Sequence, residues 1–280
     1  MTATPNRPVS VEPVVEFRGV SKVYEPSGFT AVRDINFRVD DHPGVGEFIS
    51  ILGPSGCGKS TILRLIAGLS PHHPPTTGTV KVLGQPITKP GADRGMVFQD
   101  YTSFDHRTVQ DNVAFGLECQ GMAKRERLEL ARDWIAKVGL SVARDALKYP
   151  HQLSGGMRQR VAIARTLALR PRIILMDEPF GALDPSTRLN MQDLLLGLWD
   201  ELEATIFFIT HSVEESVILS DRIYIMSPSP GTILHQLPNP KERKPAREMA
   251  KMPDVRKMVD NVRDIVDELE AEGSRPAAEG

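Results

Sequence analysis

Short apolar runs alternate with helical patterns along most of this chain. The run Ile173–Met176 is continuously apolar, as expected for a central strand covered on both faces. The alternation predicts an α/β fold with a largely parallel sheet. The predicted strands are Val14–Val20, Glu47–Leu52, Thr79–Val82, Gly95–Phe98, Ile173–Asp177, Thr205–Ile209 and Arg222–Met226.

The strand pattern is interrupted between Val109 and Leu169. Helical spacing replaces it in Val109–Cys119, in Ala123–Val138 and in the stretch after Leu153. These segments predict an α-helical subdomain, at about residues 101–168, inserted between two parts of one α/β core.

The tail is amphipathic. One face, at helical spacing, carries Val255, Met258, Val259, Val262, Ile265, Val266 and Leu269, and Gly273 is a plausible stop. The other face is acidic, which argues against an anionic membrane surface. We expect a helix packed on its own subunit, with a dimer contact as the alternative.

Composition narrows the class of protein. The chain has 280 residues, of which 40% are hydrophobic and 25% charged, as in folded globular proteins. Its net charge of −2 lacks the overall excess of positive charge that is typical of nucleic-acid-binding proteins. No apolar run approaches the roughly 18 residues that span a bilayer, and Met1–Val14 is not a secretory signal. These features predict a soluble cytoplasmic protein with a disordered arm at residues 1–13.

The cysteines are too few for a disulfide scaffold, which favours a reducing compartment. Cys57 has no resolving thiol nearby in the sequence, so we expect it to be a small packing residue. Cys119 is most simply a core cysteine on a helix.

A glycine-rich segment fits the pattern G-x-x-x-x-G-K-S/T. It lies between the strand Glu47–Leu52 and a helix from about Gly58 to Ala67. Its glycines let successive N–H groups face phosphates, and the helix N-terminus adds partial positive charge. The pattern predicts that Lys59 reaches the β- and γ-phosphates and that Ser60 ligates Mg²⁺. The segment is Gly53-Pro54-Ser55-Gly56-Cys57-Gly58-Lys59-Ser60-Thr61.

The strand Ile173–Asp177 ends in an acidic residue, and a second acidic residue, Glu178, follows directly. Asp177 lies at the strand end where α/β folds bind ligands, and it suits the outer carboxylate of a Mg²⁺ shell. Glu178 could orient or deprotonate a water that attacks the γ-phosphorus. Together with the phosphate loop, these acids predict nucleotide hydrolysis.

Those two elements also fit small-molecule kinases, GTPases and helicases. The segment Leu153-Ser154-Gly155-Gly156-Met157-Arg158-Gln159-Arg160, followed by Asp177-Glu178-Pro179, narrows the choice. With it, the chain resembles the ATP-binding subunit of an ATP-binding cassette (ABC) transporter from about Val14 to His235. The resemblance implies a P-loop NTPase core with a mixed, mostly parallel sheet, an antiparallel β subdomain and the α-helical insertion.

The resemblance also implies a head-to-tail homodimer. Ser154, Gly155 and Gly156 open a predicted helix, Met157–Leu169, whose N-terminus is an anion site. In the family, that helix end caps the ATP held by the partner's phosphate loop, so two Mg-ATP are buried at the interface.

Further positions match the family in order. Tyr24 resembles the aromatic residue that stacks on adenine, and Gln99 the glutamine that contacts Mg²⁺ and senses the transport partner. The segment Ala182-Leu183-Asp184 resembles the loop that joins the two active sites. His211 resembles the switch histidine that hydrogen-bonds the γ-phosphate and fixes the attacking water. The predicted division is an ATPase domain at residues 14–240 and a helical tail at 241–280.

Segments such as Met96-Val97-Phe98-Gln99 and Ser227–Gly231 are similar to the nitrate, sulfonate and taurine importer branch. That branch implies a peripheral ATPase on the cytoplasmic face of the bacterial inner membrane. Its partners would be separate permease subunits and, indirectly, a periplasmic or lipid-anchored solute-binding protein. The alternative is a non-transport or lipid-trafficking ABC ATPase. Asp105-His106 departs from the branch's usual Pro-Trp and would make the contact with the permease more polar.

Overall fold

The computed structural model describes residues 12–42, 44–100 and 102–273. Residues 1–11 of the predicted arm and 274–280 of the tail therefore lie outside the described residues. The strands are β1 Pro13–Tyr24, β2 Phe29–Asp40, β3 Phe48–Leu52, β4 Thr77–Val82, β5 Gln85–Pro86, β6 Arg94–Val97, β7 Ile173–Asp177, β8 Thr205–Ile209, β9 Arg222–Met226 and β10 Ile233–Pro238. The helices are α1 Lys59–Ala67, α2 Val109–Cys119, α3 Lys124–Lys137, α4 Val142–Asp145, α5 Gly155–Leu167, α6 Pro185–Trp199, α7 Val213–Leu219, α8 Ala246–Met249 and α9 Pro253–Gly273, with a 3₁₀ turn at Pro150–Gln152.

The strands form two sheets. One is antiparallel, in the order β2-β1-β4-β5. The other has the order β10-β9-β3-β8-β7-β6, with parallel pairing from β9 to β6 and β10 antiparallel at one edge. This is the predicted mixed, mostly parallel core with an antiparallel β subdomain.

The central strands β3, β7 and β8 are buried along their whole length. Alternate residues of a strand point to opposite faces. In β7, Ile173 and Leu175 accordingly belong to the core shared with α1 and the antiparallel sheet, whereas Ile174 and Met176 belong to the core on the helical side. Two cores on one sheet explain why this strand has no polar positions before Asp177.

Helices α2, α3 and α5 pack together as the predicted insertion. Thr108 caps the N-terminus of α2 by accepting a hydrogen bond from the amide of Asp111. Trp134 and Ile135 of α3 are buried against this group. Every helix among the described residues is too short or too polar to cross a bilayer.

The tail helix α9 packs on α7 of its own subunit, as expected from its amphipathic pattern. Val255 and Val262 are buried in the helical-side core. Arg263 forms an ion pair with Glu214 at the start of α7. The described part of the tail is therefore joined to the segment that follows β8.

Several elements lack a simple sequence pattern. In strand β2, burial alternates regularly only from Ile35 to Val39; the first half of the strand, up to Asp34 with its φ of 49°, pairs irregularly with β1 and does not alternate. Edge strand β10 is mostly exposed, and the buried residues of α6 are confined to the part of the helix from Met191 to Trp199. The prediction for Cys119 was wrong: it is exposed, because it is the last residue of α2 and points away from the core.

Candidate functional site

The predicted chemical groups converge at one edge of the parallel sheet. Strands β6, β7, β8 and β3 are neighbours and run in the same direction. Their carboxyl ends lead, respectively, to Gln99, Asp177-Glu178, His211 and the loop 53–58. Ligands bind at this edge in α/β proteins.

The loop between β3 and α1 needs its glycines. Gly53, Gly56 and Gly58 have φ values of 154°, 77° and 93°, a region that L side chains rarely adopt. A Cβ on Gly58 would lie 2.4 Å from Cγ1 of Val32 and 2.7 Å from the carbonyl oxygen of Ala31. The loop is therefore closed tightly against β2.

Lys59 is folded back onto this loop. Its ammonium donates hydrogen bonds to the carbonyl oxygens of Gly53 (2.8 Å) and Pro54 (2.9 Å), and only 5% of the residue is exposed. Phosphate oxygens would replace or share these acceptors and offer a full negative charge. Cys57 lies close to Lys59 in the same loop, and burial raises the pKa of its thiol. A thiol that stays protonated suits the predicted role of a packing residue.

Ser60 and Asp177 form an oxygen-rich pair. The Ser60 hydroxyl donates to Oδ1 of Asp177 at 2.9 Å, and Arg64 lies 3.9 Å from Oδ2. Burial raises the pKa of Asp177, while the hydrogen bond from Ser60 and the charge of Arg64 oppose that rise. A hydroxyl and a carboxylate suit Mg²⁺, which takes few protein ligands beside phosphates and waters. Among the described residues, no group of three or more His, Cys, Asp or Glu forms a metal cluster.

The Glu178 carboxylate contacts His211, which was predicted to hydrogen-bond the γ-phosphate, and Gln99, which was predicted to contact Mg²⁺. His211 Nε2 lies 2.6 Å from Oε1, and Gln99 donates from Nε2 to Oε2 at 3.2 Å. Glu178 itself has φ of 46°, an uncommon conformation for a residue with a side chain. All three residues line a cleft of about 600 Å³.

A second cleft, of about 290 Å³, adjoins the first at Glu178 and His211. Tyr24 lines it, and the Tyr24 hydroxyl hydrogen-bonds with that of Thr61 at 3.1 Å. Phe29, paired across the hairpin with Tyr24 and 48% exposed, also lines it. Sequence reasoning missed Phe29, because the hairpin that pairs the two aromatic residues was not predicted.

Ser154, Gly155 and Gly156, which were predicted to lie at the partner's ATP, are not among the described residues that line either cleft. Ser154 caps α5 by accepting a hydrogen bond from the amide of Met157 at 3.3 Å. A Cβ on Gly156 would approach the methyl group of Thr187, in the first turn of α6, at 3.3 Å. The N-terminus of α5 thus lies apart from the phosphate loop of its own chain.

The first cleft is also lined by a polar cluster that sequence reasoning missed. Thr210, Glu215 and Arg188 all line the cleft. The spacing Ser212-x-x-Glu215 is a capping-box pattern and could have drawn attention to Glu215. Arg188 carries no local signal, because its position depends on how α6 packs against α7.

Known proteins are similar to this chain in sequence and in fold. The family model described as ABC transporter matches residues 32–181. The nitrate import ATP-binding protein of Synechocystis sp. is 51% identical over 207 residues, which cover 74% of each chain. The taurine import ATP-binding protein of Escherichia coli is 47% identical over 220 residues, covering 78% of this chain and 83% of its own. A solved dimeric ATP-binding cassette bound to ADP and Pi is 32% identical, with a TM-score of 0.70 and coverage of 81% and 100%.

Proposed function

Since this chain belongs to the ABC transporter family and is an ATPase, we propose that it powers the import of nitrate, sulfonate, taurine or a similar small solute. The assignment of the ATPase site rests on one observation: Lys59, the Ser60–Asp177 pair and the Glu178–His211 pair converge at adjacent strand ends. Import is inferred from the relatives that are named as nitrate and taurine import proteins. In this proposal residues 14–240 form the ATPase domain, with the helical subdomain at 101–168, and 241–280 form the tail.

Binding of ATP would use both clefts. The backbone N–H groups of the segment 53–61 (Pro54 has none) and the Lys59 ammonium would hold the phosphates. Tyr24 would stack on adenine, with Phe29 beside it. Residues Ser55, Gly56, Gly58 and Thr61 belong to this phosphate-binding segment.

The oxygens of Ser60 and Asp177, with the amide oxygen of Gln99, would hold Mg²⁺. The ion, when bound, would neutralise negative charge on the phosphates during transfer. Because Asp177 is nearly buried, at 4% exposure, it keeps its carboxylate directed at the phosphate loop rather than at solvent.

Glu178 is the proposed general base. It would accept a proton from the attacking water as the water oxygen bonds to the γ-phosphorus and the bond to the bridging oxygen breaks. His211, which lies 2.6 Å from this carboxylate, would hold the water and the γ-phosphate in line. A well-placed base supplies roughly 10²–10⁴-fold of rate.

We propose that two copies associate head to tail, with Ser154, Gly155 and Gly156 of one copy at the ATP of the other. The separation of this helix end from its own clefts supports that arrangement. A solved relative, 32% identical to this chain, is a dimer, which supports association of two copies.

A groove of about 720 Å³ supports a separate permease as the partner. It begins beside Gln99, and its lining is mostly apolar, including Met96, Phe98, Phe104, Phe115 and Leu169. A short apolar helix on the cytoplasmic side of a permease is the proposed occupant. Asp105 and His106 are absent from this described lining, and Phe104 of the same loop faces the groove. The predicted effect of Asp105 and His106 on the polarity of the permease contact stays a prediction.

Glu178→Gln tests the catalytic assignment. The amide keeps the size of the carboxylate but cannot take a proton, so we expect ATP turnover to fall by roughly 10²-fold or more while ATP binding persists. Phosphate release and size-exclusion chromatography with saturating Mg-ATP would measure both effects. Wild-type turnover, or a variant that stays monomeric with ATP bound, would contradict the proposal.

Purification of the tagged chain from solubilised native membranes tests the importer assignment. We expect a permease subunit to come with it, and mass spectrometry would identify that subunit. Leu169→Asp, placed in the groove, should abolish that recovery while leaving basal ATPase activity intact. Recovery of only lipid-handling or soluble factors would instead indicate a non-transport ABC ATPase.

A further inference from the structure

Glu215 is a buried carboxylate to which the proposed reaction assigns no role. It lies in the first turn of α7, four residues after His211, and only 5% of it is exposed. Burial raises its pKa, and the hydrogen bond from Thr210 and the charge of Arg188 oppose that rise. Burying a carboxylate costs free energy unless hydrogen bonds or charges compensate, so its partners define what it does.

One oxygen of Glu215 fixes the turn that carries His211. The Thr210 hydroxyl donates to Oε2 at 2.5 Å, and the same hydroxyl oxygen accepts from the amide of Ser212 at 3.0 Å. In an ordinary capping box the glutamate would accept directly from the amide of the N-cap residue. Here Thr210 is inserted between them, so the residues on both sides of His211 are tied to Glu215.

The other oxygen faces α6. Gln192 donates to Oε1 at 3.3 Å, and Arg188 Nε lies 3.5 Å from the same atom. Arg188 also donates from Nη2 to the carbonyl oxygen of Leu183 at 3.1 Å. Leu183 belongs to the loop Ala182–Asp184, so one carboxylate links this loop to the histidine turn.

We propose that Glu215 is a positioning residue that couples His211 to the loop Ala182–Asp184. When that loop moves, Arg188 moves with it, and Glu215 transmits the displacement to the turn that holds His211. Hydrolysis at one site then depends on the loop that, by resemblance, joins the two sites. The inference rests on the proposed roles of His211 and of the dimer.

Two substitutions separate the two ends of this link. Glu215→Gln preserves size and can still accept from Thr210, but it loses the charge that faces Arg188. Thr210→Val is close in shape and removes only the hydroxyl beside His211. Glu214→Gln is the matched control, because Glu214 is the exposed neighbour and its carboxylate contacts Arg263 on α9 rather than α6. The amide oxygen of the glutamine can keep the hydrogen bond that Glu214 accepts from the Ser212 hydroxyl.

The experiment measures kcat, KM for ATP and the Hill coefficient for each full-length variant, with thermal unfolding as a check on folding. We expect Glu215→Gln and Thr210→Val to lower kcat by about tenfold, with KM changed less than about twofold, because the base and the phosphate loop stay in place. The Hill coefficient of Glu215→Gln should fall below the wild-type value, and Glu214→Gln should match wild type.

Wild-type kcat and cooperativity in Glu215→Gln would overturn the inference, as would a loss of activity that only follows a loss of folded protein. If Glu215→Gln does not fold, Thr210→Val decides: full kcat in that variant refutes the link. His211→Ala distinguishes this inference from the proposed function. Loss of turnover in His211→Ala together with normal turnover in Glu215→Gln would refute only the role of Glu215. Full turnover in His211→Ala would refute both that role and the proposed role of His211.

Discussion

Gly231→Ala should disturb the phosphate loop from outside the nucleotide site. Gly231 ends the turn that follows β9, and it is held to β2 by two backbone hydrogen bonds. Its amide donates to the carbonyl oxygen of Ala31 at 3.0 Å, and its carbonyl accepts from the amide of Arg33 at 2.9 Å. Cys57 of the phosphate loop lies directly against it.

The displacement can be estimated from these contacts. A Cβ on Gly231 would lie 1.9 Å from the carbonyl oxygen of Cys57 and 2.7 Å from Cε of Met226. Contacts of a Cβ below 3.0 Å are essentially never found, so the backbone must separate by about 1 Å. Since β2 holds Gly231, we expect the phosphate loop to move. A misplacement of about 1 Å can cost about 10²-fold in function, and overpacking costs about 1–3 kcal/mol in stability.

Calorimetric titration with Mg-ATP and thermal unfolding would measure the two effects. We expect the Kd for ATP to rise by roughly 10–10²-fold in Gly231→Ala. Gly197→Ala is the control, because Gly197 lies exposed on α6 with open space around its Cβ. That change should leave the Kd unaltered and stabilise the fold by about 0.5–1 kcal/mol. A folded Gly231→Ala protein with wild-type affinity would refute the argument that this turn sets the position of the loop.

Three further substitutions test separate parts of the structure. Lys59→Ala should weaken ATP binding itself, and unchanged affinity by titration would contradict the assignment of the phosphate loop. Ser154→Ala removes the cap on the Met157 amide, so it should lower the free energy of unfolding by about 1 kcal/mol, as measured by thermal unfolding. It should also impair hydrolysis in the partner's site, which mixed dimers with one mutant chain would reveal. Arg243→Ala removes a guanidinium that lies 3.9 Å from the Trp199 ring centroid and pairs with Asp200 and Asp221. It should lower stability by about 0.5–2 kcal/mol with unchanged kcat; unaltered thermal unfolding would show that these contacts together contribute nothing.

The sequence alone determined the parallel core and the positions of its chemical groups. Strands such as Ile173–Asp177 and Thr205–Ile209 were predicted with the bounds found in the structure. Both faces of these strands are covered, so their apolar runs are unbroken and easy to recognise. The phosphate loop has a fixed local spacing, since the curled backbone, the ammonium and the hydroxyl must all meet one phosphate chain.

Elements whose residues do not alternate regularly required the tertiary structure. Strand β2 was missed although Ile35–Val39 alternates, and irregular pairing with β1 breaks the period in the first half of the strand. Edge strand β10 buries little of its surface. Cys119 is exposed because α2 ends beside the apolar groove that Cys119 lines. The helical spacing of α2 does not reveal where the helix ends relative to that groove.

Within the site, the sequence supplied the residues, and folding supplied their partners. No spacing in the chain predicts that Glu178 meets both His211 and Gln99, because that contact follows from the order in which β6, β7 and β8 pair. The Glu215–Arg188 pair likewise joins α6 to α7, two helices that β8 separates along the chain. Local motifs are determined by short-range geometry and are readable in sequence, whereas contacts between distant segments exist only after the sheet and its helices have packed.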